Sequence, residues 1–308
     1  MEQTLGSSNS EAGIDIASQE NAATKTATVF GWWRKTVPLD VSYRYWRDVH
    51  SVMVCRVPGI YQYRLLQLAP HRFDSGSELQ DIDFTLPNAD QVHGVAEMLF
   101  LTQNDQQTFG SSSLNTEYVV KDEQNLCDRN VTRSAIGSNA RTYVDRTGDP
   151  TPNGAPKFSS FMLCCSPRES IRLEDFRQQF VEQIAHPWSQ NAAVMRLRLH
   201  LLEPYSEKEN SPCVPHDCAS AQQYGAWVEL MLDKPATLTS LLSSSDAARF
   251  IRAIQIFEIS AYYTIVYDGK LTEVGLRGFP AVQTILEAGA KLQRQPGLLK
   301  ALYDRFAE

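Results

Sequence analysis

The chain has no long apolar run and no block of basic residues. None of its 308 residues form an apolar stretch near the length of a membrane-spanning helix, and the N-terminus lacks a signal-peptide pattern. The formal net charge is -7, so we expect neither nucleic acid nor a membrane as a partner. The six cysteines are scattered, which is typical of reduced thiols. These features predict a cytoplasmic protein.

The sequence also lacks the short motifs that bind common cofactors. Gly-x-Gly-x-x-Gly, the Gly-Lys-Ser/Thr phosphate loop, His-Glu-x-x-His and Gly-x-Ser-x-Gly are all missing. The segment from Cys213 to Cys218 contains His216, but a structural zinc site needs a fourth ligand and none is evident, so we predict a flexible loop. We therefore predict no metal and no cofactor, and either acid–base chemistry or plain binding of a small molecule.

One pattern, a carboxylate within an apolar strand, occurs twice. Val95–Leu101 contains Glu97, and Trp227–Leu232 contains Glu229. Each copy follows a predicted strand, helix and second strand. A duplicated unit of this kind predicts two similar α+β halves that bury their sheets against each other.

Composition divides the chain into three parts. Residues 1–25 contain few large apolar side chains, which predicts a disordered tail. A turn-rich stretch at 148–154 separates a first half, 26–150, from a second half, 151–308, which ends in extra helices. In the second half, Ser245–Phe257 has apolar residues at helical spacing, which predicts a helix.

The first predicted helix carries the most specific pattern. Tyr45-Trp46-Arg47-Asp48-Val49-His50, followed by Pro58-Gly59 and Tyr61-Gln62-Tyr63, resembles the EthD family of the dimeric α+β barrel superfamily. The Glu97 strand and Lys121-Asp122-Glu123 with Asp128 continue the resemblance, which covers most of residues 28–145.

The resemblance implies ferredoxin-like halves whose antiparallel sheets pair into a barrel. In this chain both halves would form a tandem single-chain pseudo-dimer, present as a monomer or a homodimer. The second half matches only in outline and lacks the Tyr-Trp-Arg-Asp-x-His run. We therefore expect one working pocket, with the second half as scaffold.

His50 is the leading catalytic candidate. In a helix predicted over about 39–57, Tyr43, Trp46, His50 and Met53 share the face that lies on the sheet. We expect Tyr43, Trp46 and Met53 to contact substrate in a pocket there. An imidazole can act as general base or acid near neutral pH, and the resemblance implies such a role for a histidine in this region. The alternative is a buried histidine used for packing.

The strands supply four further catalytic candidates. Tyr61 and Tyr63 share a strand face, where a phenol either stabilises an enolate or packs in the core. Burial would raise the pKa of Glu97 and suit it to proton transfer; the alternative is a structural role, such as holding Arg47 or Arg64. His93 lies four residues before Glu97 on the same face of the predicted strand, so a hydrogen-bonded pair between them is geometrically feasible.

The favoured function is a cofactor-independent enzyme of the lyase, isomerase or cyclase type. It would use acid–base chemistry on a small, largely apolar carbonyl or phenolic compound, polyketide-like or aromatic, by cyclisation, isomerisation, dehydration or decarboxylation. The alternatives are a non-catalytic small-molecule-binding protein, a cofactor-free monooxygenase, or a haem enzyme. Haem occurs elsewhere in the superfamily, and His186 or His200 would be the candidate iron ligands.

Overall fold

The computed structural model describes residues 15–70, 81–85, 91–209, 211–217 and 223–303. The strands are β1 Lys25–Trp33, β2 Gln62–Leu68, β3 Gly94–Phe100, β4 Cys127–Ile136, β5 Ala140–Asp145, β6 Asn153–Gly154, β7 Ser159–Pro167, β8 Val194–Leu201, β9 Ala226–Leu232, β10 Ile251–Tyr267 and β11 Lys270–Leu271. Within this described part, no helix has the length and apolarity needed to span a membrane.

Three of the helices contain a π-helical turn. Helix α2 joins Leu39–Tyr45, the π turn Trp46–His50 and Ser51–Val54; α4 joins the π turn Asn115–Val119 and Val120–Leu126; α5 joins Leu173–Phe180, the π turn Val181–Ala185 and His186–Gln190. The remaining helices are α1 Ile16–Asn21, α3 Gln103–Ser111, α6 Ala236–Ser243, α7 Glu273–Arg277, α8 Phe279–Glu287 and α9 Pro296–Tyr303.

The described strands form one 11-stranded sheet with the order β4-β1-β3-β2-β10-β7-β9-β8-β5, to which β6 and β11 add beside β10. The order β4-β1-β3-β2 in the first half is repeated as β10-β7-β9-β8 in the second. Strand β10 pairs antiparallel with both β7 and β2. Strand β5, which follows β4 after one short 3-10 turn, pairs with β8. The last strand of each half therefore crosses to the other half, and the sheet closes into a barrel.

The predicted fold class, α+β with a large antiparallel sheet and covering helices, is confirmed. The division of the chain at residue 150 stays a prediction. The helix predicted over Ser245–Phe257 is wrong, because strand β10 begins at Ile251. A strand buried on both faces is almost continuously apolar, and such a run also satisfies helical spacing.

The repeated glutamates face the interior of the barrel. Arg64 donates from Nε to Oε2 of Glu97 at 2.8 Å and from Nη2 to Oε2 of Glu229 at 2.7 Å. Arg198 donates from Nε to Oε1 of Glu97 at 2.6 Å. All four side chains are buried. Because each contact between Arg64 and Glu229 or Arg198 and Glu97 joins the two halves, this ionic cluster fixes how the sheets pack.

The predicted disordered tail over residues 1–25 is wrong for residues 15–25; residues 1–14 lie outside the described part. Helix α1 begins after Asp15, whose side chain accepts a hydrogen bond from the backbone N–H of Ser18 at 3.1 Å. Glu20 on this helix is 2% exposed and accepts two bonds from Nη2 of Arg196, at 2.8 and 2.9 Å. The helix docks through a carboxylate, which a count of apolar residues does not reveal.

We expect the stabilisation from Glu20 to depend on pH. Burial alone would raise its pKa, but Arg196, Arg198 and Arg64 lower it to about 2. A lowered pKa in the folded state stabilises the fold above the unfolded value of about 4.3, and this contribution is lost as pH falls toward 2. The difference in unfolding free energy between wild type and Glu20→Gln should therefore shrink as pH falls from about 5 to about 2. Urea unfolding at several pH values measures it, and a constant difference would contradict the ionic role of Glu20.

Candidate functional site

A cavity of about 360 Å³ lies between the sheet of the first half and helices α2, α3 and α4. Its volume is within the range of small-molecule sites. Aromatic and apolar side chains dominate its lining: Trp33, Trp46, Val54, Tyr63, Met98, Phe100, Phe109 and Val119. The polar side chains that line it include His50, Gln106, Asn115, Glu123, Asn130, Thr132, Ser134, Lys208 and Ser211.

Two paired glycines make room for an aromatic wall. Gly31 on β1 and Gly94 on β3 are cross-strand partners. A Cβ atom on Gly31 would lie 2.3 Å from Cζ3 of Trp33, and one on Gly94 would lie 2.6 Å from Cζ2 of the same ring. The indole of Trp33 therefore lies along the sheet where both side chains are missing. Trp46 packs against it with the ring centroids 4.9 Å apart, which gives the cavity an aromatic surface suited to a planar ligand.

His50 is held at the cavity by Asp122 of α4. Nδ1 of His50 lies 2.9 Å from Oδ2 of Asp122. The other oxygen, Oδ1, accepts hydrogen bonds from the hydroxyl of Tyr45 and from Nδ2 of Asn125. Burial alone would raise the pKa of Asp122, but the hydrogen bonds from His50, Tyr45 and Asn125 lower it to about 2.

An ionised carboxylate can only accept hydrogen bonds, so the proton of a neutral His50 lies on Nδ1. Nε2 is then the ring nitrogen left for a ligand. An imidazole held in this way can take a proton from a bound molecule, and the carboxylate behind it stabilises the imidazolium that forms.

Glu123, the residue after Asp122, lines the same cavity. One of its carboxylate oxygens, Oε2, accepts a hydrogen bond from Nδ2 of Asn130 at 3.0 Å. Neither Glu123 nor Asn130 is among the site residues predicted from the sequence. Lys121-Asp122-Glu123 was already part of the family resemblance. The contact between His50 and Asp122 could not be predicted from the sequence, because the two residues are 72 positions apart in the chain.

Residues 37–130 match the EthD domain. The matched segment contains helix α2, strand β3 and helix α4, so His50, Asp122 and Glu123 all lie within it. No curated protein matches the chain.

Several solved structures are similar in fold. A proposed monooxygenase from Lactobacillus acidophilus NCFM shares 6% identity with a TM-score of 0.43, covering 77% of this chain and 94% of its own. An anthrone oxidase-like protein shares 6% identity with a TM-score of 0.43, covering 79% and 93%. Chlorite dismutase from Candidatus Nitrospira defluvii, in complex with imidazole, shares 11% identity with a TM-score of 0.39, covering 79% and 95%.

Within the EthD segment, the cavity-facing residues of α2 differ in part from those predicted. Trp46, His50 and Val54 line the cavity at spacings of four, because the π turn Trp46–His50 widens the helix by one residue. Tyr43 does not line it; its hydroxyl donates to the carbonyl of Leu68 at 2.7 Å. Met53 does not line the cavity either; it is partly buried and packs against the apolar cluster that includes Trp46 and Val54.

The two predicted tyrosines are separated by the structure. Tyr63 on β2 lines the cavity and is 1% exposed. Tyr61 lies outside the cavity, where burial and the nearby Asp268 raise the pKa of its hydroxyl. Of the two predicted tyrosines, Tyr63 is therefore the one that lines the cavity together with His50.

Glu97 is not positioned for proton transfer with a ligand in this cavity. Its side chain lies on the opposite face of β3 from Ala96 and Met98, which line the cavity. The prediction that its pKa is raised is wrong: burial acts in that direction, but Arg198 and Arg64 outweigh it and hold the pKa well below its usual range. The structural alternative for Glu97 agrees with these contacts.

His93 does not pair with Glu97. Its Nδ1 accepts a hydrogen bond from the backbone N–H of Trp33 at 3.0 Å, and burial lowers its pKa. The ring also stacks near Trp33, with centroids 6.3 Å apart. His93 therefore helps to hold the aromatic wall.

Two small cavity-lining residues of the first half, Ala27 and Gly31, are replaced by larger ones at the corresponding positions of the second half. Strands β1 and β7 begin at residues 25 and 159, and helices α2 and α5 at 39 and 173, so both pairs are 134 residues apart. Adding 134 to a residue number therefore gives the corresponding position in the second half. By this rule Trp46, His50, Ala27 and Gly31 correspond to Phe180, Ile184, Phe161 and Cys165, and all four of these second-half residues are buried. The position of His50 is thus an isoleucine in the second half.

The histidines considered as haem ligands do not fit that role. His200 is fully buried, its ring stacks on Trp227 at 4.0 Å, and burial lowers its pKa to about 4. His186 is exposed on α5 beside the ring of Tyr143. Across the described ranges, no three His, Cys, Asp or Glu side chains are grouped to hold a metal. Cys218 lies outside the described residues.

Proposed function

We propose that the cavity is the active site of a cofactor-independent enzyme that transfers protons on a small aromatic carbonyl or phenolic compound. The observation that carries this proposal is the His50–Asp122 pair, with Nδ1 and Oδ2 2.9 Å apart, at an aromatic cavity. The indoles of Trp33 and Trp46 favour a planar ligand.

In the proposed reaction, Nε2 of His50 takes a proton from an acidic carbon of the ligand. The electron pair of the broken C–H bond moves toward the carbonyl, whose oxygen becomes an enolate. Tyr63 lines the cavity, and its hydroxyl is the proposed donor to that oxygen. Return of the proton at another carbon isomerises the ligand, and loss of a hydroxyl group as water dehydrates it.

We also propose that the chain is a tandem pseudo-dimer with one working half. The repeated strand order and the substitution of Ile184 at the position of His50 support this proposal. The second half then supplies the other side of the barrel rather than a second active site.

Anthrone, a planar ketone with acidic methylene hydrogens, provides a direct test under argon in D2O. Wild-type protein should accelerate deuterium incorporation at the methylene carbon, measured by NMR. His50→Gln should slow the catalysed exchange by about 10²–10⁴-fold, the usual contribution of a general base. His186→Gln is the matched control, because His186 is exposed and lies outside the cavity.

Two results would contradict the proposal, and each would favour a different function. Quenching of tryptophan fluorescence by anthrone and related benzylic ketones, with no exchange above buffer for any of them, would indicate a binding protein. Oxygen consumption in air that requires His50, with no exchange under argon, would indicate a cofactor-free oxygenase.

A further inference from the structure

We propose that Glu123 is the second proton-transfer group of this cavity, giving a proton to an oxygen of the ligand while His50 removes one from carbon. The inference rests on the function proposed above and deepens it. It requires a ligand with an oxygen function, either a carbonyl or a leaving hydroxyl group, together with an acidic C–H bond.

The placement of the two carboxylates on α4 separates their tasks. Consecutive residues of a helix point about 100° apart. Asp122 is directed at Nδ1 of His50, whereas Glu123 lines the cavity. One carboxylate therefore orients the base, and the next one is presented to the ligand.

Asn130 fixes the carboxyl group of Glu123. Its Nδ2 donates to Oε2 of Glu123 at 3.0 Å, and its own backbone N–H donates to the carbonyl of Pro215 at 3.0 Å. Asn130 is 1% exposed, so this amide donor is shielded from bulk water.

A second, independent observation points to a ligand at this amide. Oδ1 of Asn130 is buried and accepts no hydrogen bond from the described part of the chain. Asn130 is also one of the residues that line the cavity. A buried carbonyl oxygen without a donor is unfavourable. A ligand hydroxyl beside Glu123 would supply the missing donor.

The direction of the pKa shift of Glu123 agrees with this role. Burial raises its pKa above the usual carboxyl value, against smaller opposing effects of Ser211, His50 and Asn130. Asp122, one residue earlier, has the opposite shift. The opposite shifts fit two different tasks: the carboxyl group of Asp122 loses its proton more readily and orients His50, whereas that of Glu123 holds its proton more strongly.

The step is balanced without an oxidant or reductant. In enolisation, the C–H bond breaks, its electron pair forms the C=C bond, and the carbonyl oxygen receives the proton of Glu123 while His50 holds the other. In elimination from a β-hydroxy ketone, the C–O bond breaks instead, and the proton of Glu123 leaves with the oxygen as water.

Chemical rescue tests the inference with anthrone exchange under argon. Glu123→Ala should slow the exchange by about 10²-fold or more. Added formate, a small carboxylic acid, should restore part of the lost rate, because it can enter the space left by the side chain. Glu117→Ala is the matched control, since Glu117 is exposed on the same helix, and its rate should be unchanged with or without formate.

The outcomes separate this inference from the proposed function. Full activity of Glu123→Ala, with His50→Gln inactive, would overturn the role of Glu123 alone. A slow Glu123→Ala that formate does not rescue, while Glu123→Gln keeps wild-type activity, would show a structural role and overturn it as well. A rate of anthrone exchange that His50→Gln leaves unchanged would instead contradict the proposed function.

Discussion

Glu97→Ala is expected to lower the free energy of unfolding by about 3–5 kcal/mol, the usual effect of removing one partner from a buried ion pair. Glu97 is 0% exposed and accepts hydrogen bonds from Arg64 and Arg198, which come from different halves of the barrel. Without the carboxylate, two buried guanidinium groups lose their shared partner. Urea unfolding followed by circular dichroism measures the change.

The control for Glu97→Ala is an exposed pair of the same chemistry. Asp40 and Arg44 are 3.0 Å apart, with side chains 74% and 62% exposed. Asp40→Ala should change the unfolding free energy by about 0.5 kcal/mol or less. If Glu97→Ala were equally mild, Glu229 or water would have to satisfy both arginines, and the cluster would not fix the packing of the halves.

Asp122→Asn is expected to slow the His50-dependent exchange of anthrone by as much as about 10⁴-fold, the size of the same change in the Ser-His-Asp triad of a serine protease. An asparagine can donate its amide N–H to Nδ1, which favours the tautomer with the proton on Nε2. The ring nitrogen that faces the ligand then carries a proton and cannot act as the base.

Asp128→Asn is the matched control for this substitution. Asp128 is exposed and accepts a hydrogen bond from the backbone N–H of Lys35 at 2.9 Å, outside the cavity. Melting temperatures of both variants establish that the fold is kept. Equal exchange rates for wild type and Asp122→Asn would mean that Asp122 does not set the tautomer of His50.

The sequence predicts the first site helix well but not its exact face. Spacings of three and four place Trp46 and His50 together, which agrees with the cavity lining. The same spacing adds Tyr43 and Met53, which lie elsewhere, because a π turn inserts one residue that no sequence pattern reveals. Asp122 is equally hidden, since its contact with His50 joins two helices distant in the chain.

The ionic contacts in the interior of the barrel were likewise only partly predictable from the sequence. The repeat of Glu97 and Glu229 predicts two related halves, and Arg64 was one of the partners considered for Glu97. Arg47, the other, instead pairs with the adjacent Asp48. Glu20 was assigned to a disordered segment because composition measures apolar content, whereas its helix is held by ionic contacts with residues far along the chain.

The proposed joining of two related halves in one polypeptide has a consequence for how this protein can evolve. In a homodimer a single gene encodes both subunits, so every substitution occurs on both sides of the barrel. Here Ala27 and Gly31 leave space beside one helix, while the larger Phe161 and Cys165 are buried at the corresponding positions of the other half. One half can therefore change its specificity without altering the other, whose dense packing lets the fold tolerate new, destabilising substitutions around the cavity.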